Sequence, residues 1–314
     1  MSKGENNFAI AIHGGAGTLV RGMMTDALEK EYKRALEASL NAGYKVLESG
    51  GTSVDAVETA VMHLEDSHLF NAGKGSVFTA TGTHEMDASI MDGYNKNAGA
   101  VSLVSGIKNP VQLAREVMDK SEHVFLAGEG AMNFAKSLNF KTYDPEYFYD
   151  ALRFKQWQEI KDTDAFQLDH SKSNDHKFGT VGAVACDTKG NIAAATSTGG
   201  MTNKRFGRVG DSPMIGSGNY ANNKTCAVSC TGSGEYFIRG VVAYEVSALM
   251  EFKNYTIQQA AEEVILRRIL EIGGDGGLIA IDNQGNIAMP FNTEGMYRAM
   301  RSAKGKIKID IYKD

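Results

Sequence analysis

The sequence predicts an α+β protein built of stacked helix and sheet layers. Three observations point there. Helical segments precede one run of strands and separate others, instead of alternating strand by strand as in a parallel sheet. Residues 183–191 (AVACDTKGN) and 278–286 (LIAIDNQGN) repeat one pattern, each followed by Ile-Ala, as two β-hairpins of similar build would. Finally, 35 glycines stand against only 4 prolines, so the chain calls on many backbone conformations that other residues avoid.

The elements follow in order. Phe8–Ile12 is an apolar run that reads as a buried strand. It ends in the turn His13-Gly14-Gly15-Ala16-Gly17, where the backbone must approach something closely. From about Asp26 to Glu48, Leu28, Tyr32, Leu36 and Leu40 recur at four-residue spacing, a helix stopped by Gly50-Gly51. Thr52 and Asp55 form a capping pair for a second helix that buries Val54, Val57, Val61 and Leu64. Glycine-punctuated segments such as Asn71-Ala72-Gly73-Lys74-Gly75 come next, then helices around 110–120 and 128–137. Lys161–Lys177 carries only Ala165, Phe166 and Leu168 as apolar residues, so 161–178 reads as a solvated, flexible linker. Order resumes abruptly at the strand-like Gly179-Thr180-Val181-Gly182-Ala183-Val184. Between the two hairpins lie helical stretches at roughly 235–252 and 256–271, the second opened by the capping box Thr256…Gln259.

With 314 residues, 42% of them apolar and 23% charged, the chain is long enough to bury a sizeable core. A net charge of −5 gives no electrostatic reason to expect nucleic acid or an anionic membrane as a partner. The three cysteines Cys186, Cys226 and Cys230 form no disulfide framework. No signal-peptide or membrane-spanning pattern is seen, so the expected compartment is the cytoplasm.

Familiar catalytic motifs fail one by one. There is no G-x-S-x-G elbow. His84-Glu85-Met86-Asp87-Ala88 starts like a zincin helix but lacks the second histidine. Gly73-Lys74-Gly75 sits in no Walker A frame. Gly216-Ser217-Gly218-Asn219-Tyr220-Ala221 matches a dinucleotide fingerprint, with Glu235 downstream, but no apolar strand leads into it. What remains is Thr180, Thr196-Ser197-Thr198-Gly199-Gly200, Gly207-Arg208-Val209-Gly210-Asp211 and Thr231-Gly232-Ser233-Gly234. Each alone has a structural explanation: threonine favours strands, glycine pairs favour turns, and Arg208 with Asp211 makes a surface ion pair of small worth.

Their joint order says more. The chain resembles the N-terminal nucleophile (Ntn) hydrolases, in particular the plant-type L-asparaginase and isoaspartyl peptidase family. The resemblance runs from AIAIHGGAG at 9–17, through LFNAG at 69–73 and MDA at 86–88, to PFNTEGM at 290–296. Its most specific part is GTVGAVACDTKGNIAAATSTGGMTNK at 179–204, GRVGDSP at 207–213 and SCTGSGE at 229–235.

The resemblance implies a four-layer αββα sandwich spanning 1–314 as one domain. It also implies a precursor that cuts itself between Gly179 and Thr180, giving an α chain 1–179 and a β chain 180–314. The Thr180 hydroxyl would attack the Gly179 carbonyl, and water would hydrolyse the resulting ester. That frees an α-amine, whose ordinary pKa of about 7.7–8.0 lets it accept the hydroxyl proton near neutrality. Nucleophile and base then share one residue, and no histidine is required as the base. Glycine on the acyl side suits the cut, having no Cβ to obstruct attack.

The same resemblance implies the remaining roles. Thr198 would hydrogen-bond near the nucleophile. Arg208 would clamp a substrate α-carboxylate with its planar fork, and Asp211 would face the α-ammonium. The Thr231 hydroxyl and the Gly232 amide would form the oxyanion hole. Carbonyls of the loop containing Leu64, Glu65, Ser67, Phe70, Ala72 and Lys74 would hold a structural sodium ion, with no organic cofactor. The substrates would be L-asparagine and β-aspartyl dipeptides, and the particle a dimer of αβ pairs (α2β2). Two alternatives stand beside this. A glycosylasparaginase usually carries aspartate, not Gly179, before its threonine; a non-maturing, non-catalytic binding homologue would have no need of the whole residue set.

Overall fold

The computed structural model describes residues 7–163 and 179–313. In chain order it contains β1 (Ala9–Gly17), α1 (Asp26–Glu48), α2 (Ser53–Glu65), β2 (Met86–Asp92), β3 (Ala98–Val104), α3 (Pro110–Lys120), β4 (Phe125–Ala127), α4 (Gly128–Ser137) and α5 (Ala151–Ile160). After the undescribed stretch come β5 (Val181–Cys186), β6 (Ile192–Thr198), β7 (Asn219–Ala221), β8 (Cys226–Gly232), α6 (Gly234–Gly240), α7 (Val242–Lys253), α8 (Ile257–Glu263), β9 (Gly276–Asp282), β10 (Ile287–Ala288), β11 (Gly295–Ser302) and β12 (Ile307–Tyr312). Of the expected linker only Lys161–Thr163 falls within the described residues, and these three are exposed.

Two sheets stack face to face. The larger has strand order β12-β11-β1-β5-β6-β2-β3-β4 and the smaller β10-β9-β8-β7. Helices α1–α3 cover the outer face of the large sheet, while α7 and α8 cover the small one, which makes the four-layer sandwich. One core lies under α1–α3 and gathers Ile10, Ile12, Leu36, Leu40, Val57, Val61 and Val101. The other fills the space between the sheets and beneath α7 and α8, with Val184, Val228, Cys230, Leu278 and Val246. Because successive β1 side chains alternate faces, Ile10 and Ile12 enter the first core while Ala9 and Ala11 enter the second.

Local chemistry explains the helix starts. The hydroxyls of Thr25, Thr52 and Thr256 each accept from the amide three residues on, and Gln259 completes the capping box. Both expected hairpins form with the same turn. Asp187 Oδ1 accepts from the amides of Lys189 and Asn191, and Asp282 Oδ1 from those of Gln284 and Asn286. Gly190 and Gly285 take the left-handed position, with φ of 79° and 78°.

The stretch 235–252, expected as one helix, is two. Val241 adopts a left-handed conformation between α6 and α7. There the amides of Ala243 and Tyr244 leave the helical ladder and donate to the carbonyls of Ser217 and Gly216. Beyond α8 the helix continues through a π turn, Val264–Arg268, to Glu271.

Candidate active site

The start of β5 brings the expected nucleophile to the middle of the large sheet. β5 pairs with β1 on one side and β6 on the other. The register Val181↔Ser197 carries Thr198 to the position opposite Thr180. Thr180 is nearly buried, and its hydroxyl lies 3.1 Å from Ser212 Oγ. Thr198 Oγ1 accepts from the amide of Gly200 at 3.0 Å, which holds the β6 terminus in its turn.

The glycine turn after β1 closes over the expected cleavage point. A bulge between His13 and Gly15 shifts the β1–β11 register. A Cβ on Gly15, whose φ is +111°, would stand 2.5 Å from the amide nitrogen of Gly179. The close approach foreseen for this turn is therefore made to Gly179 itself. A Cβ on Gly179 would lie 2.9 Å from Thr231 Oγ1, with Gly15 Cα and Ala16 N close behind at 3.6 and 3.7 Å. Thr231 is buried and accepts from the amide of Ala16 at 3.3 Å, which leaves its hydroxyl proton available to an oxyanion near Gly179. Gly232 follows with φ +155°, and a Cβ there would come within 2.8 Å of Gly276 Cα on the paired strand.

Gly234 is where the charged residues meet. A Cβ at that position would stand 2.9 Å from Asp211 Oδ1 and 3.0 Å from Arg208 Nη2. Asp211 is buried and its Oδ2 has no hydrogen-bond partner. Burial pushes its carboxyl up to about 7, partly opposed by the Arg208 charge. A cation brought beside the unpartnered Oδ2 would favour the ionised form. Arg208 does not pair with Asp211 as a simple surface ion pair would require. Its fork is instead bidentate on Glu235, with Nε and Nη2 donating at 2.9 Å each. Beside it Met201, Asn203, Lys204, Arg205 and Phe206 complete the lining of a cavity of about 470 Å³.

Three participants escaped the sequence reading: Ser212, Glu235 as the partner of Arg208, and His13. Each lies inside a motif already singled out (GRVGDSP, SCTGSGE and HGGAG), so position in the motif was the available signal. His13 is wholly buried, with Nδ1 3.0 Å from the Thr180 carbonyl and Nε2 2.9 Å from Ser229 Oγ.

The loop expected to hold sodium lies at the end of α2. Carbonyl oxygens of Glu65, His68 and Phe70 press on Gly73 and Gly75 so closely that neither position could carry a Cβ. The Phe70 carbonyl also accepts from the amide of Ala72. The Leu64 carbonyl accepts from Ser67, and that of Ala72 from Gly75. The Lys74 ammonium lies over the Tyr147 ring at 5.7 Å. Asn71 ties the loop to the site, donating to the Gly200 carbonyl at 2.7 Å and accepting at its own carbonyl from Gly199. Among the described residues no three His, Cys, Asp or Glu side chains gather as a metal site.

Comparison with known proteins finds relatives along nearly the whole chain. The sequence profile of the asparaginase family matches residues 6–311. An isoaspartyl peptidase of Escherichia coli (strain K12) is 51% identical over 97% of this chain and 96% of its own length. An isoaspartyl peptidase/L-asparaginase of Xenopus laevis is 41% identical over 91% of this chain and 90% of its own. A plant-type L-asparaginase of Pyrococcus abyssi (strain GE5 / Orsay) is 42% identical, covering 92% and 94%.

Proposed function

The chain belongs to the asparaginase family, and from that premise we propose that it hydrolyses β-aspartyl (isoaspartyl) peptide bonds and the side-chain amide of L-asparagine, with Thr180 as an N-terminal nucleophile. One observation supports the assignment of the site. A Cβ on Gly179 would stand 2.9 Å from the Thr231 hydroxyl, and the Thr180 hydroxyl lies 3.1 Å from Oγ of Ser212, the chain neighbour of Asp211.

In maturation, Thr180 Oγ attacks the Gly179 carbonyl carbon, its proton passes to the Thr180 nitrogen as the C–N bond breaks, and an ester is left. Water hydrolyses the ester, which gives a Gly179 carboxylate and a free Thr180 α-amine. In turnover that amine takes the proton from Oγ, which attacks the substrate's side-chain amide carbon. Thr231 and Gly232 stabilise the oxyanion that forms. The protonated amine then gives its proton to the departing ammonia or peptide amine, and water releases aspartate. Arg208 receives the substrate α-carboxylate and Asp211 the α-ammonium, the two groups that L-asparagine and a β-aspartyl peptide share.

A sodium ion would be held by the carbonyls of the 64–74 loop and would neutralise their crowded dipoles. The loop braces Gly199 and Gly200 through Asn71, next to Thr198. The mature particle is a dimer of cleaved pairs. Tyr244, Phe252, Leu266 and Leu270 on the outer helices, and Tyr255 in the loop between α7 and α8, are exposed and offer surface of the kind an interface covers; light scattering reporting a lone pair of pieces would exclude this assembly. No described helix is long and apolar enough to cross a membrane, and three unpaired cysteines suit a reducing cytoplasm.

Incubation of the purified protein tests the proposal. Two pieces should appear, with the smaller beginning Thr-Val-Gly-Ala, and Thr180→Ala should stay whole and hydrolyse neither L-asparagine nor β-Asp-Leu. An enzyme fully active as one uncut chain overturns the mechanism.

A further inference from the structure

We infer that His13 is a positioning residue for the nucleophile: its ring holds the carbonyl of Thr180 and so fixes the backbone frame that carries both attacking hydroxyl and accepting amine. The inference rests on Thr180 being that nucleophile.

The hydrogen-bond partners settle the proton on the ring. A carbonyl oxygen only accepts, so the Nδ1 that stands 3.0 Å from Thr180 O carries the hydrogen. Burial pushes the imidazole down to about 3, so the ring is neutral at working pH and Nε2 is an acceptor. The Ser229 hydroxyl, 2.9 Å away, donates to it, and Ser229 Oγ in turn lies 2.7 Å from Thr196 Oγ1. Asn219 Nδ2 continues the chain, donating to Thr196 Oγ1 at 3.2 Å. Gly182 makes room for this row, because a Cβ there would come 2.5 Å from His13 Nε2 and closer still to Ser229 Oγ.

The arrangement matters most after the cut. Residue 180 then becomes a chain end and loses its tether to Gly179. Besides its peptide bond to Val181 at the head of β5, two side-chain contacts among the described residues hold it: Ser212 on the hydroxyl and His13 on the carbonyl. With the carbonyl plane fixed, the Cα and its two substituents, the amine and Cβ, keep their direction toward the substrate. A neutral donor does this without setting a second positive charge beside the amine.

The experiment compares matured His13→Ala and His13→Asn with wild type on β-Asp-Leu. For His13→Ala, kcat should fall about tenfold to a hundredfold, the cost of a displaced reacting group, while KM stays within about twofold because the substrate clamps are untouched. Asparagine places an N–H near the position of Nδ1, so His13→Asn should recover most of kcat. A purely structural role predicts lower thermal stability with kcat unchanged, and that result overturns the inference, as does an asparagine variant no better than alanine. Should His13→Ala fail to fold, ¹⁵N spectra of the wild-type ring decide. An Nδ1–H tautomer that does not titrate between about pH 5 and 8 supports the inference; an Nε2–H or titrating ring refutes it. If the wild-type β chain does not begin at Thr180, the nucleophile assignment itself fails; a normally cut protein indifferent to His13→Ala refutes the positioning role alone.

Discussion

Arg208 grips Glu235 with both prongs of its guanidinium, each at 2.9 Å, so the fork assigned to the substrate carboxylate already holds a carboxylate in the free protein. Glu235 is half exposed on its side chain, whereas Arg208 is mostly buried, so water competes for the carboxylate more than for the guanidinium. A substrate carboxylate can share the fork or displace Glu235 into solvent. The Glu235 side chain keeps the guanidinium plane oriented until then.

Arg208→Lys keeps the charge and loses the fork. One charge-assisted hydrogen bond, worth roughly 1.5–3 kcal/mol, should disappear, and kcat/KM for β-Asp-Leu should fall about tenfold to a hundredfold. Cutting at Gly179–Thr180 uses no substrate carboxylate and should proceed as in wild type. Unchanged steady-state kinetics in the matured variant would reduce Arg208 to an ion-pair partner.

Asp211 offers a pH test of substrate binding. Its carboxyl, raised by burial to about 7, is neutral below that pH and meets a substrate ammonium poorly. KM for L-asparagine should therefore fall as pH rises through about 7, and Asp211→Asn should raise KM and flatten its pH dependence. A KM profile for wild type that is level across this range contradicts the role.

Glu65 offers a stability test away from the chemistry. Burial raises its carboxyl to about 8, although Oε1 accepts from Ser197 Oγ and the Val111 amide. The folded value lies above the unfolded 4.5, so the unfolded chain binds fewer protons in between. Stability is then full below about 4.5 and is lost as pH rises through about 8. Glu65→Gln should melt like wild type near pH 4 and at a higher temperature near pH 9. Equal melting temperatures at pH 9 would mean that the carboxyl finds another way to ionise cheaply.

Gly15→Ala should slow maturation at least about tenfold. Its Cβ would stand 2.5 Å from the nitrogen of the scissile bond, and φ of +111° is strained for any side chain. Following the disappearance of the full-length band on a gel checks this. A variant cut at the wild-type rate would show that the turn moves away before the reaction.

Much of the scaffold was legible because its signals are local. Thr52 and Thr256 announce their helices through side chains that reach only three residues ahead. The two Asp-x-x-Gly-Asn turns do the same for the hairpins. β2 and β3 were not assigned: AGAVSLV is nearly all apolar and buried, and in MDASIMD the alternation set by Asp87 and Ser89 lasts only five residues, with both polar side chains buried as well. α5 escaped because two of its three buried residues, Arg153 and Gln156, are polar. At the site, residue identities came from motif resemblance, while their partners did not. Arg208 finds Glu235 across 27 positions, and His13 reaches Thr180 across 167, distances at which no local pattern survives.

The order of strands in the large sheet bears on how the mature protein ages. β1 lies between β11 and β5, and β6 pairs with β2, so strands from before and after residue 180 are shuffled like two hands of cards. Under the proposed cut no seam would separate the pieces: parting them would mean tearing three ladders at once. Differently labelled molecules should not trade halves in the native state. Unfolding, however, would turn one chain's private search into a meeting of two strangers, slower at every dilution. Maturation would thus make the fold effectively irreversible in dilute solution, with the uncut Thr180→Ala chain regaining its shape after denaturant far more readily than the active enzyme.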